Sequence, residues 1–239
     1  MTTIAEKLTT IDGALGDIKT AIEAQGVTPS GDITTYATAI GNISGGGGSG
    51  KYQLLDRVKD DSNNEIGTVS GFFTDANGVD YAVVCLDAQY RLDSGQFSSS
   101  TGIVTNLPQH QNQSLYSATE TATTNTQLIL DWCTANSYTS SACTHCRSKS
   151  FTIDGTTYYG QLPNIVEVID IFRRRVGINS ADTSAGSYSS LIIPTNTAVW
   201  SSSQFNNNIA WYINNRGFVD IENKTNNYFV IPVLEIPNT

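Results

Sequence analysis

The chain has 239 residues, a length that can bury one sizeable core and carry a small appendage. Its 13 Lys and Arg residues stand against 22 Asp and Glu. The resulting net charge of -9 argues against nucleic acid as a partner, because phosphate contacts need a basic face. The same acidity disfavours an anionic membrane surface, and no stretch of sequence is apolar enough over the length needed to insert into a bilayer.

The polar character of the chain comes mostly from uncharged residues, since only 15% of the positions are charged. A surface rich in Ser, Thr, Asn and Gly is typical of loop-rich or β-rich extracellular proteins. The first seven residues nevertheless lack the basic-then-apolar layout of a secretion signal. A virion component that is assembled in a host cytoplasm and acts outside the cell would account for both features.

The chain begins with apolar residues that alternate in steps of four and three positions. They are Ile4, Leu8, Ile11, Leu15, Ile18 and Ile22. This spacing predicts a coiled-coil seam, and its Ile-rich composition favours more than two strands, for which we expect a homotrimer. An amphipathic helix packed on its own domain is the alternative, because the seam is short.

A second short helix, capped by Asp32, is predicted before a run of Gly and Ser. The sequence thus predicts a helical segment at residues 1–43 for oligomerisation and virion attachment, a flexible linker at 44–50, and a domain at 51–239.

The domain carries strand patterns at both ends and two helices in the middle, which predicts an α+β fold of small mixed sheets. A hairpin is expected around the turn at residues 75–78, and a helix at residues 125–132. Asn164 is the predicted cap of a second helix, with Glu167 three residues on and Gly177 at its end. The run of Arg173, Arg174 and Arg175 is interpreted as the solvated end of that helix.

The last part of the chain reads as a meander of strands. Strands at residues 210–213 and 218–222 flank a turn at 214–217, and a further turn at 223–227 leads into a strand at 228–231. Pro232 predicts an edge position or a bulge. Trp200 and Trp211 lie in strand-like runs and are expected in the core.

No catalytic constellation emerges from the sequence. The two histidines, His110 and His145, lie in no nucleophile motif, and His110 is expected in an exposed polar loop. The cysteines are Cys85, Cys133, Cys143 and Cys146. Cys143 and Cys146 have the spacing of a zinc or redox half-site, but buried free thiols or one disulfide fit a chain with two histidines better.

Several short motifs occur in one order along the domain. They are Asn125 and Thr126, Ala142 and Cys143, residues 160–164 (Gly-Gln-Leu-Pro-Asn) with Glu167, residues 200–203 (Trp-Ser-Ser-Ser), residues 210–212 (Ala-Trp-Tyr), Lys224, and residues 230–233 (Val-Ile-Pro-Val). Together they resemble bacterial and phage C-type-lectin-like domains of the Lcl-like and major-paralogue type, and the variable proteins of diversity-generating retroelements. The resemblance covers about Tyr52 to Pro237. The N-terminal helical segment resembles those of phage tail and fibre proteins.

The resemblance implies that the last strands and loops display a ligand-binding surface, which in retroelement proteins is hypervariable at Asn positions. The implied ligand-binding residues are Phe205, Asn206, Asn207, Asn208, Asn214, Asn215, Arg216, Phe218, Asp220, Asn223, Asn226, Asn227 and Tyr228. Turn chemistry alone is the alternative explanation of the many Asn residues.

The lectin motifs that bind calcium (Glu-Pro-Asn or Gln-Pro-Asp, then Trp-Asn-Asp) are missing, and the last strands offer only Asp220 and Glu222 as carboxylates. The paired cysteines near the C-terminus of formylglycine-generating enzymes, which share this broad fold, are missing too. We therefore expect no metal, cofactor or catalysis.

The predicted function is that of a phage receptor-binding protein that attaches to a host cell-surface protein or glycan and contacts other virion proteins through its N-terminal segment. A virion decoration or a head or tail fibre protein without receptor activity is the alternative. Exposed aromatic side chains beside the Asn-rich turns would favour receptor binding over this structural role.

Overall fold

The computed structural model describes Lys19 and residues 50–110, 121–184 and 197–239, with no side-chain description from residue 180 to 184. The chain divides into two units, Met1–Ser49 and Gly50–Thr239. The predicted seam from Ile4 to Ile22, the second short helix and most of the linker lie outside the described residues. The strands and helices described next all belong to the second unit.

The domain contains eleven strands, four α-helices and one short 3-10 helix (Ala88–Tyr90) within its described residues. The strands are β1 (Arg57–Lys59), β2 (Glu65–Thr74), β3 (Asp80–Leu86), β4 (Leu92–Gln96), β5 (Ser150–Ile153), β6 (Thr156–Tyr159), β7 (Val199–Gln204), β8 (Ile209–Ile213), β9 (Val219–Asn223), β10 (Asn227–Val230) and β11 (Val233–Pro237). The helices are α1 (Ala122–Ala135), α2 (Ser141–Arg147), α3 (Ile165–Arg173) and α4 (Arg175–Ser184).

The strands form three separate sheets. The first sheet has the order β1-β2-β3-β11 and is antiparallel throughout. The second has the order β4-β10-β7-β8-β9, in which β10 and β7 are parallel and the other neighbours antiparallel. The small third sheet is the β5-β6 hairpin. Several small sheets with a few helices confirm the predicted α+β class.

The chain passes from the second sheet to the first at Pro232, between β10 and β11. The carbonyl oxygen of Pro232 accepts a hydrogen bond from the amide of Leu86 at 3.0 Å, although its ring nitrogen has no hydrogen to donate. Pro232 therefore separates two strands of different sheets. The sequence predicts an edge position or a bulge at Pro232, whereas in the structure the chain changes from one sheet to another there.

Helix α3 packs between the two large sheets. Its residues Ile165, Val168 and Ile171 are fully buried against Val83 of β3 and Ile213 of β8, in one apolar cluster. Burial on this scale supplies the main stabilising free energy of such an interface. A second cluster surrounds Trp200, and a third lies behind the first sheet.

The start of α3 confirms the predicted cap. The Asn164 side-chain oxygen accepts hydrogen bonds from the amides of Val166 and Glu167 at 2.9 and 3.0 Å, and Glu167 accepts one from the Asn164 amide at 2.7 Å. This reciprocal pair is a capping box, which satisfies amides that the first turn of a helix leaves unbonded.

The same glutamate belongs to a buried carboxyl pair. Glu235 of β11 accepts hydrogen bonds from the amides of Ala122 and Thr123 at 2.6 and 2.9 Å and so holds the N-terminus of α1. Burial raises the pKa of Glu167 well above its ordinary value, and the nearby charge of Glu235 raises it further. The junction of α1, α3 and β11 therefore favours a protonated Glu167.

Two sequence-based expectations are wrong. Gly177 does not end the helix capped by Asn164, because α3 ends at Arg173 and Gly177 lies within α4. A Cβ atom at Gly177 would come within 2.8 Å of the Leu55 side chain, so the glycine allows close packing. His110 is 8% exposed rather than in an open loop, because its amide donates to the Gln204 carbonyl at 3.0 Å.

Candidate ligand-binding surface

The predicted ligand-binding residues lie at two opposite ends of strand β8. The turn of residues 205–208 precedes β8, and the turn of residues 214–218 follows it. Residues 223–228 join the first end, because Asn223 pairs with Ile209 at the start of β8. A strand of this length separates its ends by about 13 Å, so the structure forms two surfaces rather than one.

At the first end, several Asn side chains stabilise their own turns. The Asn206 side-chain oxygen accepts hydrogen bonds from the amides of Asn208 and Ile209, at 2.9 and 3.0 Å. The Asn223 side-chain oxygen accepts one from the amide of Thr225 at 3.0 Å. These are Asx turns, so turn chemistry accounts for Asn206 and Asn223. Asn207, by contrast, has an exposed side chain.

Lys224 links this end of the sheet to the loop that follows β4. Its side chain is fully buried, and its Nζ donates hydrogen bonds to the Gly102 carbonyl at 2.7 Å and to Gln204 Oε1 at 2.6 Å. Nζ also lies 5.3 Å from the centroid of the Phe97 ring. Burial lowers the pKa of Lys224 from 10.5 to about 8. No local pattern predicts the burial of this lysine, because it lies between Asn residues in a predicted turn.

The aromatic residues of the first end belong largely to the core. Tyr228 stacks on Tyr212 with ring centroids 4.8 Å apart, and its edge meets Trp200 at 5.0 Å. Burial, with a smaller effect of Asp220, raises the pKa of Tyr212 to about 12. Trp200 is fully buried and Trp211 is 8% exposed, which confirms the prediction that both are core residues. Phe205 packs edge-on against Trp211 at 5.4 Å.

The second end is the turn of residues 214–218. The Asn214 side-chain oxygen accepts hydrogen bonds from the amides of Arg216 and Phe218 at 3.0 and 3.1 Å, and its amide nitrogen donates to Asp220 at 3.3 Å. Gly217 has a φ of 83°, a conformation that other residues rarely adopt. This internally bonded turn presents Phe218 with 67% of its surface exposed.

This turn forms one wall of a cleft of 620 Å³, and helices α3 and α4 form the other. We call it the Arg216 cleft. Its apolar lining includes Phe172, Val176 and Phe218, and its cations are Arg173, Arg175 and Arg216. The volume is typical of clefts that bind small ligands or parts of larger ones.

The Arg216 cleft concentrates positive charge on an acidic protein. Arg173 lies 3.6 Å from Asp170, with 70% of its side chain exposed. Arg175 and Arg216 form no ion pair with any other described residue and are exposed. Carboxylate or phosphate groups on a ligand would meet these guanidinium groups in the planar geometry that favours paired hydrogen bonds.

Sequence reasoning interpreted the three arginines after Phe172 as a solvated helix end. They are exposed or half-buried, but two of them line the cleft beside Arg216, about forty positions later in the chain. The proximity depends on the packing of α3 against β8, which no local pattern encodes. Of the implied ligand-binding residues, Arg216 and Phe218 line this cleft.

Other features concern metal binding, thiol chemistry and membrane-spanning helices. The four cysteines are buried and form no disulfide with one another, and burial raises the pKa of Cys143 to about 12. Across the part of the chain that the structure describes, no three His, Cys, Asp or Glu side chains are grouped to hold a metal ion. Among those same residues, no helix combines the length and apolar character of a membrane span.

The fold and the cleft define an α+β domain with a surface suited to binding. No family model matches the chain. No curated protein matches it either. Among solved structures, the chain is similar to a fimbrial protein from Bacteroides ovatus, with 13% sequence identity and a TM-score of 0.55. The similarity covers 77% of this chain but 48% of that protein, so the chain spans about half of its neighbour's length. At this identity, the likeness concerns the fold alone.

Proposed function

We propose that this chain is the receptor-binding protein of a phage virion and that it binds its target without catalysis. In this proposal, residues 51–239 form a C-type-lectin-like domain, and the Arg216 cleft contacts a host cell-surface protein or glycan. Residues 1–43 assemble the chain into a homotrimer and attach it to the virion, and residues 44–50 act as a flexible tether.

The exposed ring of Phe218 is the observation that carries the proposal. Phe218 is 67% exposed and stands beside Asn214 and Asn215 at the tip of a turn that is fixed by internal hydrogen bonds. Val176, which is 75% exposed, lines the same cleft, so Phe218 belongs to an exposed apolar patch and is not a single exposed side chain. Contiguous apolar surface with a polar rim is typical of binding sites. A spacer domain would be expected to carry a purely polar tip, so Phe218 favours receptor binding over decoration.

The charges of the cleft support an acidic target. Arg175 and Arg216 have no carboxylate partner among the described residues, although the chain as a whole carries a net charge of -9. Uronic acids, sialic acids, phosphorylated sugars and acidic protein loops all offer the groups that arginine binds best. The fimbrial description of the structural neighbour agrees with a role in adhesion.

Avidity follows from the proposed architecture. A single exposed cleft of this kind gives weak binding, and three copies on a short flexible linker raise the effective concentration at a surface to about the millimolar range. Display of variable residues would use the exposed Asn215 next to Arg216 and, on the separate surface at the other end of β8, the exposed Asn207, Asn208, Asn226 and Asn227. Asn206, Asn214 and Asn223 hold their turns.

The test measures binding of the fluorescently labelled full-length chain to a panel of intact Gram-negative and Gram-positive bacteria by flow cytometry. We expect saturable binding to at least one strain, weakened about tenfold or more by the double substitution Arg216→Ser and Phe218→Ser. The matched control replaces Lys59 and Leu54 by Ser, which removes one exposed cation and one exposed apolar side chain elsewhere. Equal loss in both variants, or no binding to any strain, would contradict the proposal.

Light scattering tests the assembly separately. The full-length chain is expected to be a trimer, and a chain that starts at Lys51 is expected to be a monomer. A monomer in both cases would remove the avidity argument and leave residues 1–43 as a docking segment for another virion protein.

A further inference from the structure

A second cleft, of 520 Å³, lies between the tips of two hairpins and the N-terminus of α1. Phe73 and Tyr81 of the β2-β3 hairpin line one side, and Tyr158 and Tyr159 of the β5-β6 hairpin line the other. Gln161 also lines it. It shares no lining residue with the Arg216 cleft, and we call it the Tyr159 cleft.

Aromatic rings with free hydroxyl groups dominate the Tyr159 cleft. Phe73 and Tyr81 stack with centroids 5.1 Å apart and an interplanar angle of 6°, and Tyr159 is 52% exposed. The hydroxyl groups of Tyr81, Tyr158 and Tyr159 form no hydrogen bond with any other residue that the structure describes. The cleft thus combines flat apolar faces with phenol groups that can each donate and accept a hydrogen bond.

Gln161 provides an independent indication of a ligand site. Its side chain is 3% exposed, and its Nε2 donates to the Tyr159 carbonyl at 2.9 Å. Its Oε1 is buried and has no hydrogen-bond partner within the described part of the chain. A buried amide oxygen without a donor is costly, and rotation of the Gln161 side chain towards a ligand hydroxyl group in the cleft would relieve that cost.

The charged groups at the Tyr159 cleft are of both signs, and each hydrogen-bonds to neutral groups of the protein. Glu235 accepts hydrogen bonds from the amides at the start of α1, and Asp75 accepts them from the amides of Asn77 and Val79 at 2.8 and 2.9 Å. The Arg147 guanidinium donates to Gln127 and lies 5.9 Å from the Tyr159 ring centroid. Arg147 forms no ion pair with any described residue, so a charged ligand would meet charged groups of both signs at this cleft. The Arg216 cleft, by contrast, has arginines and no carboxylate among its lining residues.

We infer that the Tyr159 cleft binds an uncharged saccharide of one to three rings. The C–H face of a pyranose ring packs on an aromatic face, and its hydroxyl groups take hydrogen bonds from phenols, threonines and amides. Threonine hydroxyls at positions 121, 123, 124, 156 and 157 surround the rings, and this polar rim disfavours a lipid chain. The volume is within the range of small-molecule sites. This site acts in addition to the proposed function and does not depend on it.

The test is isothermal titration calorimetry of the full-length chain with lactose, maltose, cellobiose and N,N′-diacetylchitobiose, each up to about 10 mM. We expect at least one sugar to bind saturably. Tyr159→Ala should weaken its binding about tenfold or more, and Tyr159→Phe, which loses only the hydroxyl, should weaken it less. Ile103→Ala, which removes an exposed apolar side chain that lines neither cleft, is the matched control and should leave the affinity unchanged. Phe218→Ala tests the Arg216 cleft as the competing location of the sugar.

The outcomes separate this inference from the receptor-binding proposal. No binding by any of these sugars, or binding that Tyr159→Ala leaves intact, overturns the inference whatever the result with bacterial cells. Sugar binding that is lost in Phe218→Ala and kept in Tyr159→Ala would place the saccharide in the Arg216 cleft and also overturn it. Sugar binding that Tyr159→Ala weakens and Phe218→Ala leaves intact supports the inference even if the cell-binding experiment fails.

Discussion

The buried lysine at position 224 gives a prediction about pH dependence. Lys224 Nζ is fully buried, with hydrogen bonds to two oxygens and no carboxylate partner, and its pKa is lowered to about 8. The native state then binds the proton less tightly than the unfolded chain does. The charged lysine therefore costs stability below about pH 8, and this cost disappears as the pH rises towards 10.5.

The magnitude follows from the difference between these two pKa values, at 1.36 kcal/mol per unit. The full cost at neutral pH is about 3 kcal/mol, and about 2 kcal/mol of it should be regained between about pH 7 and 9.5. Tyrosines also begin to titrate in this pH range, so a change in the stability of wild type alone could not be assigned to Lys224. The difference between wild type and Lys224→Met cancels their contribution, because both proteins contain the same tyrosines.

The assay is urea unfolding of both proteins, monitored by tryptophan fluorescence, at these two pH values. We expect the stability of wild type to rise by about 2 kcal/mol relative to Lys224→Met. Lys59→Met, which removes an exposed lysine, should show no such change relative to wild type. A difference between wild type and Lys224→Met that is independent of pH would refute the reasoning. It would mean that the Gly102 and Gln204 oxygens fully compensate for burial of the charge.

Three further predictions concern the core. The stability that protonated Glu167 contributes is fully present below the ordinary titration range of a glutamate and decreases as the pH rises. Glu167→Gln should therefore lose less stability than wild type between about pH 4 and 8 in urea unfolding, and an equal loss would contradict the raised pKa. Trp200→Ala should cost about 3–5 kcal/mol in the same assay at neutral pH, since the side chain is fully buried among aromatic rings. A cost below about 1 kcal/mol would show that the site collapses around the smaller residue. The thiols of Cys143 and Cys146, buried and with raised pKa values, should resist a thiol reagent in the native protein and react once urea unfolds it. Fast labelling of either thiol in the native protein would contradict the burial of these two cysteines.

Local signals in the sequence predicted the elements that local chemistry controls. The cap at Asn164 and the hairpin around residues 75–78 are present, because side-chain bonds to nearby amides stabilise both. Helix α1 begins three residues earlier and ends three residues later than predicted. It begins earlier because the Thr121 side chain accepts a hydrogen bond from the Thr124 amide and caps the helix.

The β5-β6 hairpin carried a local signal that sequence reasoning did not use. Asp154 and Gly155, both with positive φ, form its two-residue turn, and this dipeptide is a strong hairpin signal between alternating strands. Recognising it would have brought Tyr158 and Tyr159 into consideration as surface residues. Helix α2 was not predicted, because only the chemistry of Cys143 and Cys146 was considered and not the secondary structure around them.

The two clefts depend on contacts between distant parts of the chain. Arg175 meets Arg216 only after α3 has packed on β8, and Tyr81 meets Tyr159 only after two hairpins have come together. The separation of the Asn-rich turns has the same origin. The sequence shows them close together in the last forty positions, whereas the alternation of strand direction sends them to opposite ends of β8.

The pairing of β11 with β3 governs when this domain can finish folding. Val233 of β11 pairs with Cys85 of β3, roughly 150 residues earlier, so one side of β3 has no partner until the last strand has been synthesised. Contacts across so many residues form slowly, and an unpaired strand edge is a template for other chains. When many copies are made at once, the interval between synthesis of β3 and arrival of β11 is the period in which neighbouring chains can exchange strands. Lower temperature or slower expression during that interval should increase the yield of correctly folded protein.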